Sequence, residues 1–186
     1  MKKDKIPKKI SEIDTLDKFE FKEWLDGKAT EFLSGIEIKR GNKVLDFGCG
    51  EGNYSLPAAG LVGKKGLIIS MDKNPEKLDK LKKKTFRKRI KNVEAILGSE
   101  ETEIPLGRES MDWVLVINVI HEVDDKRNLL AELNRIMKKK GKICVYPMKI
   151  ENREIIEIAK YEGLKLTNKL LNDRILIFEK GDNLND

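Results

Sequence analysis

The 186-residue chain is 39% apolar and 38% charged, with a net charge of +6 and a pI near 9.1. That length suits one domain with a real core, and no apolar run approaches the ~20 residues of a membrane-spanning helix. The N-terminus is too polar for a secretory signal, and two cysteines are too few for a cysteine-rich metal site. They read as reduced thiols of a cytoplasmic protein. The basic balance permits nucleic-acid binding without demanding it, because abundant Lys beside many Glu is also how a heat-adapted surface is built.

Residues 1–10 form a basic segment containing Pro7, loose at its tip. Over 14–34 the apolar residues Leu16, Phe19, Trp24, Leu25, Ala29, Phe32 and Leu33 recur at helical spacing, which predicts one or two helices ending near Gly35. A division follows: residues 1–35 as a basic segment and helical cover, residues 36–182 as the core of a single domain.

Strand and helix signals then alternate. A short apolar strand over 43–47 runs into three alternating glycines, Gly48, Gly50 and Gly52, and a helix is predicted over 53–61. Glycine tolerates positive φ and lets backbone approach a ligand, and N–H groups at a helix start favour negative partners. The next strand, over 67–71, ends at Asp72, the place of a ribose-binding carboxylate in a nucleotide-binding βαβ unit. Asn74-Pro75 is a cap followed by proline at the first helical position. The helix that follows points Leu78, Leu81, Phe86 and Ile90 inward, and its lysines and arginines read as a solvated face, with an RNA-phosphate footprint as the alternative and no aromatic residue interleaved on the polar side.

Strands are predicted over 93–97 and 112–118, the second apolar on both faces as a central parallel strand is. Asp124 or Asp125 caps a helix that buries Leu129, Leu130, Leu133, Ile136 and Met137 and ends through Lys138, Lys139, Lys140 and Gly141. A strand over 142–146, with Cys144 packed in the core, stops at Pro147. A helix through Ile155, Ile156 and Ala159 and a closing hairpin over 164–178 complete the chain.

The glycine turn is neither G-x-G-x-x-G, since Asn53 stands where the third glycine belongs, nor a P-loop, which needs Gly-Lys-Ser/Thr. With Asp46 two residues before Gly48 it reads D-x-G-x-G-x-G, which resembles motif I of class I S-adenosylmethionine-dependent methyltransferases. VLDFGCGEG, MDKNPEKL, a Gly-Ser-Glu-Glu turn and MDWVLVINVIHEV follow in the family's order, and the resemblance runs from about residue 40 to about residue 180. It implies an α/β, three-layer, doubly wound and mostly parallel seven-stranded sheet whose last strand is antiparallel. It also implies S-adenosylmethionine as the methyl donor.

Carried over by resemblance, Gly48, Cys49 and Gly50 pass the methionine part of the donor, and Asp46 binds its amino group. Asp72 takes the ribose hydroxyls, while Met71 and Lys73 flank the adenine. Ser99 or Glu100 stands where relatives meet the adenine amino group, and a solvated loop is the alternative. Asn118 ends the fourth strand at the mouth of the site and is counted with the donor-binding residues. His121, the one histidine of the chain, is a general base near neutral pH, a polar wall of the acceptor pocket, or a structural residue. No metal is expected, since capping explains Asp124 and Asp125. The NVIHEV segment resembles the broad group of small-molecule methyltransferases that includes those of quinone biosynthesis, so the expected acceptor is a small molecule. An RNA or protein methyltransferase and a non-catalytic donor-binding subunit are the alternatives, and oligomeric state is left open.

Overall fold

A computed structural model describes residues 13–98 and 103–181, which divide into two compact units between Leu97 and Gly98. In the first unit α1 (Lys18–Gly27) starts at Asp17, whose carboxylate accepts from the amides of Phe19 and Glu20 while Glu20 accepts from the Asp17 amide. This reciprocal capping box sets the phase of the helix. Phe21 and Leu25, one turn apart, are buried, and the row continues through Ala29, Phe32 and Leu33 of α2 (Ala29–Gly35). Phe19, read inward from sequence, is 58% exposed because it lies two residues from Phe21, on the opposite side of the helix.

Strands β1 (Lys43–Phe47), β2 (Leu67–Asp72) and β3 (Val93–Leu97) are parallel, with Asp46 opposite Ser70 and Asp72 opposite Leu97. Helix α3 (Ser55–Val62) connects β1 to β2, and α4 (Pro75–Arg87) connects β2 to β3. Asn74 caps α4 by accepting from the amides of Glu76 and Lys77, with Pro75 at the first position as expected. Leu78 and Leu81 enter the core beside Cys49, Leu56, Val93 and Ala95. Phe86 does not. It is five residues past Leu81 and about 140° round the helix from it, and is 85% exposed.

The second unit carries β4 (Met111–Ile117), α5 (Lys126–Ile136), β5 (Met137–Tyr146), α6 (Asn152–Tyr161), β6 (Leu164–Leu170) and β7 (Ile175–Lys180). Asp125 caps α5 by accepting from the Asn128 amide. The helix ends at Ile136, earlier than its lysines suggested. Met137 already has extended backbone, so Lys138–Gly141 belong to β5 rather than to a helix terminus. Pairing with β4 shifts there, from Met111 opposite Met137 to Trp113 opposite Lys142. β4 and β5 are parallel, while β7 is antiparallel to both β5 and β6.

The strand order is β3-β2-β1-β4-β5-β7-β6 in one seven-stranded sheet, the doubly wound α/β plan with its last strand reversed. Among the described residues no helix is long and apolar enough to cross a membrane.

Gly141 sits at the β4–β5 irregularity, where an added Cβ would lie 2.5 Å from Met137 Cγ and 2.9 Å from the Met111 carbonyl oxygen. Gly141→Ala is expected to lower stability by about 1–3 kcal/mol through overpacking against backbone, read as a lower urea midpoint with an unchanged slope.

Candidate active site

The end of β2 organises the glycine loop. The Met71 carbonyl accepts from the amides of both Gly48, at 2.8 Å, and Cys49, at 3.0 Å. The Gly50 amide donates to Asp72 Oδ2 at 2.7 Å, and the Asn74 amide to Asp72 Oδ1 at 2.9 Å. Gly48, Gly50 and Gly52 have φ of 71°, 54° and 89°, which the tight reversal requires. Beside Gly50 an added Cβ would meet nothing within 4 Å, whereas at Gly52 it would come 2.5 Å from Leu81 Cδ1. The loop therefore packs on α4 at Gly52 and leaves open space at Gly50.

The amides of Gly48, Cys49 and Gly50 donate into the protein, so they are not free donors for an anionic ligand. The Cys49 side chain packs against Leu78 and Leu81, and burial pushes its thiol far above the ordinary range, with Asp46 and Asp72 adding to the effect.

Asp46, 2% exposed at the end of β1, accepts from the Ser55 hydroxyl at 2.5 Å, and Ser55 in turn accepts from the Ser70 hydroxyl at 2.8 Å. Burial pushes the Asp46 carboxyl up to about 6, against the hydrogen bonds from Ser55, with a smaller push from Asp72 and a smaller pull from Lys22. Asp72 is 8% exposed. Each of its oxygens accepts from one backbone amide, and a carboxylate offers about four acceptor positions, so it retains capacity for further donors.

Two further clusters hold the loop. Asp26 of α1 accepts from Lys22 Nζ (2.5 Å), Asn53 Nδ2 (3.1 Å) and the Tyr54 hydroxyl (2.7 Å), which ties α1 to the residues directly after Gly52. Glu51 bonds Lys80 and Lys84 of α4, which hold its carboxyl down at about 2. Neither Asp26 nor the Ser55–Ser70 pair was singled out from sequence. Their partners lie up to 28 residues away, and only the small, polar Ser55 inside an otherwise apolar helix start hinted at a role.

Lys73 is exposed on the turn between Asp72 and the Asn74 cap. Ser99 and Glu100 lie outside the described residues. In the second unit Asn118 follows β4 with φ 55°; its amide donates to the Tyr146 carbonyl, and its buried Oδ1 has no hydrogen-bond partner. His121 sits in a short 3-10 turn (Ile120–Glu122), with a buried, unpartnered Nδ1 and with Nε2 4.0 Å from Glu122. Burial lowers its pKa, Lys149 and Lys126 lower it further, and Glu122 opposes them. The imidazole is thus neutral at neutral pH. No group of three or more His, Cys, Asp or Glu is arranged to hold a metal among the described residues.

A dinucleotide or nucleoside triphosphate needs free amides and positive charge for its phosphates. The loop offers instead two buried carboxylates, internally satisfied amides and open space at Gly50. That set of acceptors suits a nucleoside without phosphate that carries positive charge.

Comparison with known proteins agrees. The profile of the family described as "Methyltransferase domain" matches residues 38–175, and the chain belongs to that family, whose implied donor is S-adenosylmethionine. Demethylmenaquinone methyltransferase of Bacillus cereus (strain AH187) is 29% identical over 113 residues, 61% of this chain and 47% of that protein. The chain therefore spans about half the length of the curated relatives it matches. A SAM-dependent methyltransferase from Aquifex aeolicus superposes with a TM-score of 0.72 at 23% identity, covering 92% of this chain and 96% of its own. An arsenic(III) S-adenosylmethionine methyltransferase from Chlamydomonas reinhardtii gives 0.59 at 21% identity, covering 75% and 62%. At these identities the two structures show the shared fold.

Removing the Ser55 hydroxyl leaves Asp46 without its side-chain donor. Ser55→Ala is expected to move Asp46 further above about 6 and to cost about 1–3 kcal/mol. Because the bond favours the ionised carboxylate, that cost is concentrated above the Asp46 pKa and shrinks in acid. Carboxyl-carbon NMR titration and denaturant midpoints at both ends of the range check it.

Proposed function

We propose that this chain transfers a methyl group from S-adenosylmethionine to a small-molecule acceptor. The observation that carries the reading is the inward donation of the loop amides beside Asp46 and Asp72, which suits a cationic, phosphate-free nucleoside. Asp72 is assigned to the ribose hydroxyls and Asp46 to the ammonium. Gly48, Cys49 and Gly50 are assigned to backbone packing along the methionine part, Lys73 with Met71 to the adenine flank, and Ser99 or Glu100 to its amino group.

The bound donor supplies an activated methyl on a positively charged sulfur. The protein's part is to align the acceptor with that methyl and, where the acceptor is protonated, to remove the proton. His121 is assigned to proton removal and Asn118 to the residues that bind the donor. The lowered His121 pKa leaves the ring free to accept a proton at neutral pH.

The relative named demethylmenaquinone methyltransferase supports an acceptor of small aromatic type, at modest identity. Cytoplasmic location belongs to the same proposal; both cysteines are free and buried, as reduced thiols are.

Calorimetric titration with S-adenosylhomocysteine, followed by a methyl-release assay over quinol and phenol acceptors, tests the whole reading. Saturable binding with turnover of an aromatic hydroxyl compound is expected, and absence of binding by folded protein would sink it. Asp72→Ala is expected to weaken S-adenosylhomocysteine binding by about 1–3 kcal/mol.

Binding also carries a pH signature. An ammonium beside Asp46 draws its pKa down from about 6, so binding releases protons near that pH and affinity falls as pH drops below it. Asp46→Asn removes this dependence. His121→Gln is expected to lower kcat by about 10²–10⁴ while product affinity stays the same. Unchanged kcat in that variant takes His121 out of the proton path.

A further inference from the structure

The positive charge of this protein is local. Residues 75–91, α4 and the turn after it, hold nine Lys or Arg and two acids, an excess of seven, whereas the whole chain has +6. The remainder is therefore at −1. A heat-adapted surface disperses both signs, so this concentration has another cause.

Lys80 and Lys84 are engaged by Glu51, and Lys82 has only Asp79 at 3.9 Å. Lys83, Arg87, Lys88 and Arg89 are exposed and make no ion pair with any described residue. Cations near a helix C-terminus gain a little from its dipole, which accounts for Arg87 but not for an exposed aromatic ring among them. Phe86 is 85% exposed, and Lys82, Lys83 and Arg87 lie four, three and one residues from it, so that 82, 83, 86 and 87 share one face. Burying that ring against a partner would be favourable, and nothing in this unit does so.

We propose that the outer face of α4 is a binding surface for single-stranded RNA, with Phe86 stacking on an unpaired base and Lys83, Arg87, Lys88 and Arg89 holding the flanking phosphates. A positive stripe interleaved with an aromatic ring is the general solution for single strands, because every base has a face to stack and every linkage has a charge. A duplex offers no open base face to Phe86. An anionic membrane is the poorer match because the other apolar residues of α4, Leu78 and Leu81, are buried in the core, leaving no apolar face to insert. The surface lies on the opposite side of α4 from those leucines and uses none of the groups assigned to the donor, so it stands apart from the methyl-transfer reading.

The test is fluorescence anisotropy with a labelled oligouridylate of about 20 nucleotides, using the full chain without donor. Saturable binding is expected to weaken steeply between about 50 and 200 mM salt, with a log–log slope near −0.7 for each phosphate neutralised. Phe86→Ala is expected to weaken it about fivefold or more, and the double variant Arg87→Gln with Lys88→Gln to flatten the slope by about 1.4. All three positions are exposed, so circular dichroism and S-adenosylhomocysteine titration should match the parent protein and report separately on fold and donor site. No saturable binding at low salt overturns the proposal. So does equal binding by Phe86→Ala, or binding of duplex DNA or anionic vesicles as tight as that of the oligouridylate, since each shows a surface that attracts polyanions without stacking.

Discussion

One carbonyl and one carboxylate at the end of β2 hold the rest of the site in place. The Met71 oxygen takes two loop amides and Asp72 takes a third. A buried amide left unpaired costs free energy on the scale of a lost hydrogen bond, so the path of the loop is fixed by where those acceptors stand. They stand at the strand end because β2 is paired on both sides, to β1 and β3. The sheet thus sets the loop, and the loop sets the space at Gly50. Satisfying the amides internally also removes the chief attraction of such a turn for phosphate. What remains to bind a ligand is carboxylate, and the charge preference of the site is reversed by the same bonds that shape it.

The protein separates its charges within the first unit. Asp46 and Asp72 are both buried, and Asp72 adds a smaller push to the Asp46 carboxyl, which burial raises first. Ser55 and Ser70 moderate the cost by supplying hydroxyl donors where water is excluded. The positive excess lies on α4, whose inward row of Leu78 and Leu81 supports the loop through Cys49 and Gly52. One helix therefore backs an acidic cradle with its apolar side and presents a basic exterior.

Much of the fold was legible because strand ends are marked by chemistry. The bounds of β1 and β3 are those read from sequence, and β2 extends one residue further to include Asp72. Helix phase was less so. Phe19 and Phe86 were placed in apolar rows by their spacing, yet the caps at Asp17 and Asn74 start each helix where Phe21 and Leu81 occupy the core row. An apolar residue indicates a face only once the first turn is known. The extension of β5 back to Met137 was hidden for a related reason: Lys-Lys-Lys-Gly is a good helix ending by composition, and pairing with β4 overrides it. At the candidate site, the carboxylates and glycines were visible as a pattern. The direction of the loop amides was not, because it depends on the Met71 carbonyl, which has no side-chain signature. Asp26 was invisible because contacts 27 and 28 residues apart leave no local periodicity.

The loop is gripped from two helices with opposite polarity. On the α1 side an acid, Asp26, reaches donors that follow the loop, and on the α4 side a loop acid, Glu51, reaches two lysines. The grips are unequal. Lys80 and Glu51 are 60% and 38% exposed, so salt and side-chain entropy leave that pair little net value. Asp26 is 25% exposed and bonds the hydroxyl of Tyr54, itself 5% exposed, where water competes poorly. The neutral partners matter here, because a bond from a phenol hydroxyl to a carboxylate does not depend on ionic strength as an ion pair does. The junction between the glycine turn and α3 is accordingly held more by α1 than by the lysine-rich helix, whose outward cations are left unneutralised.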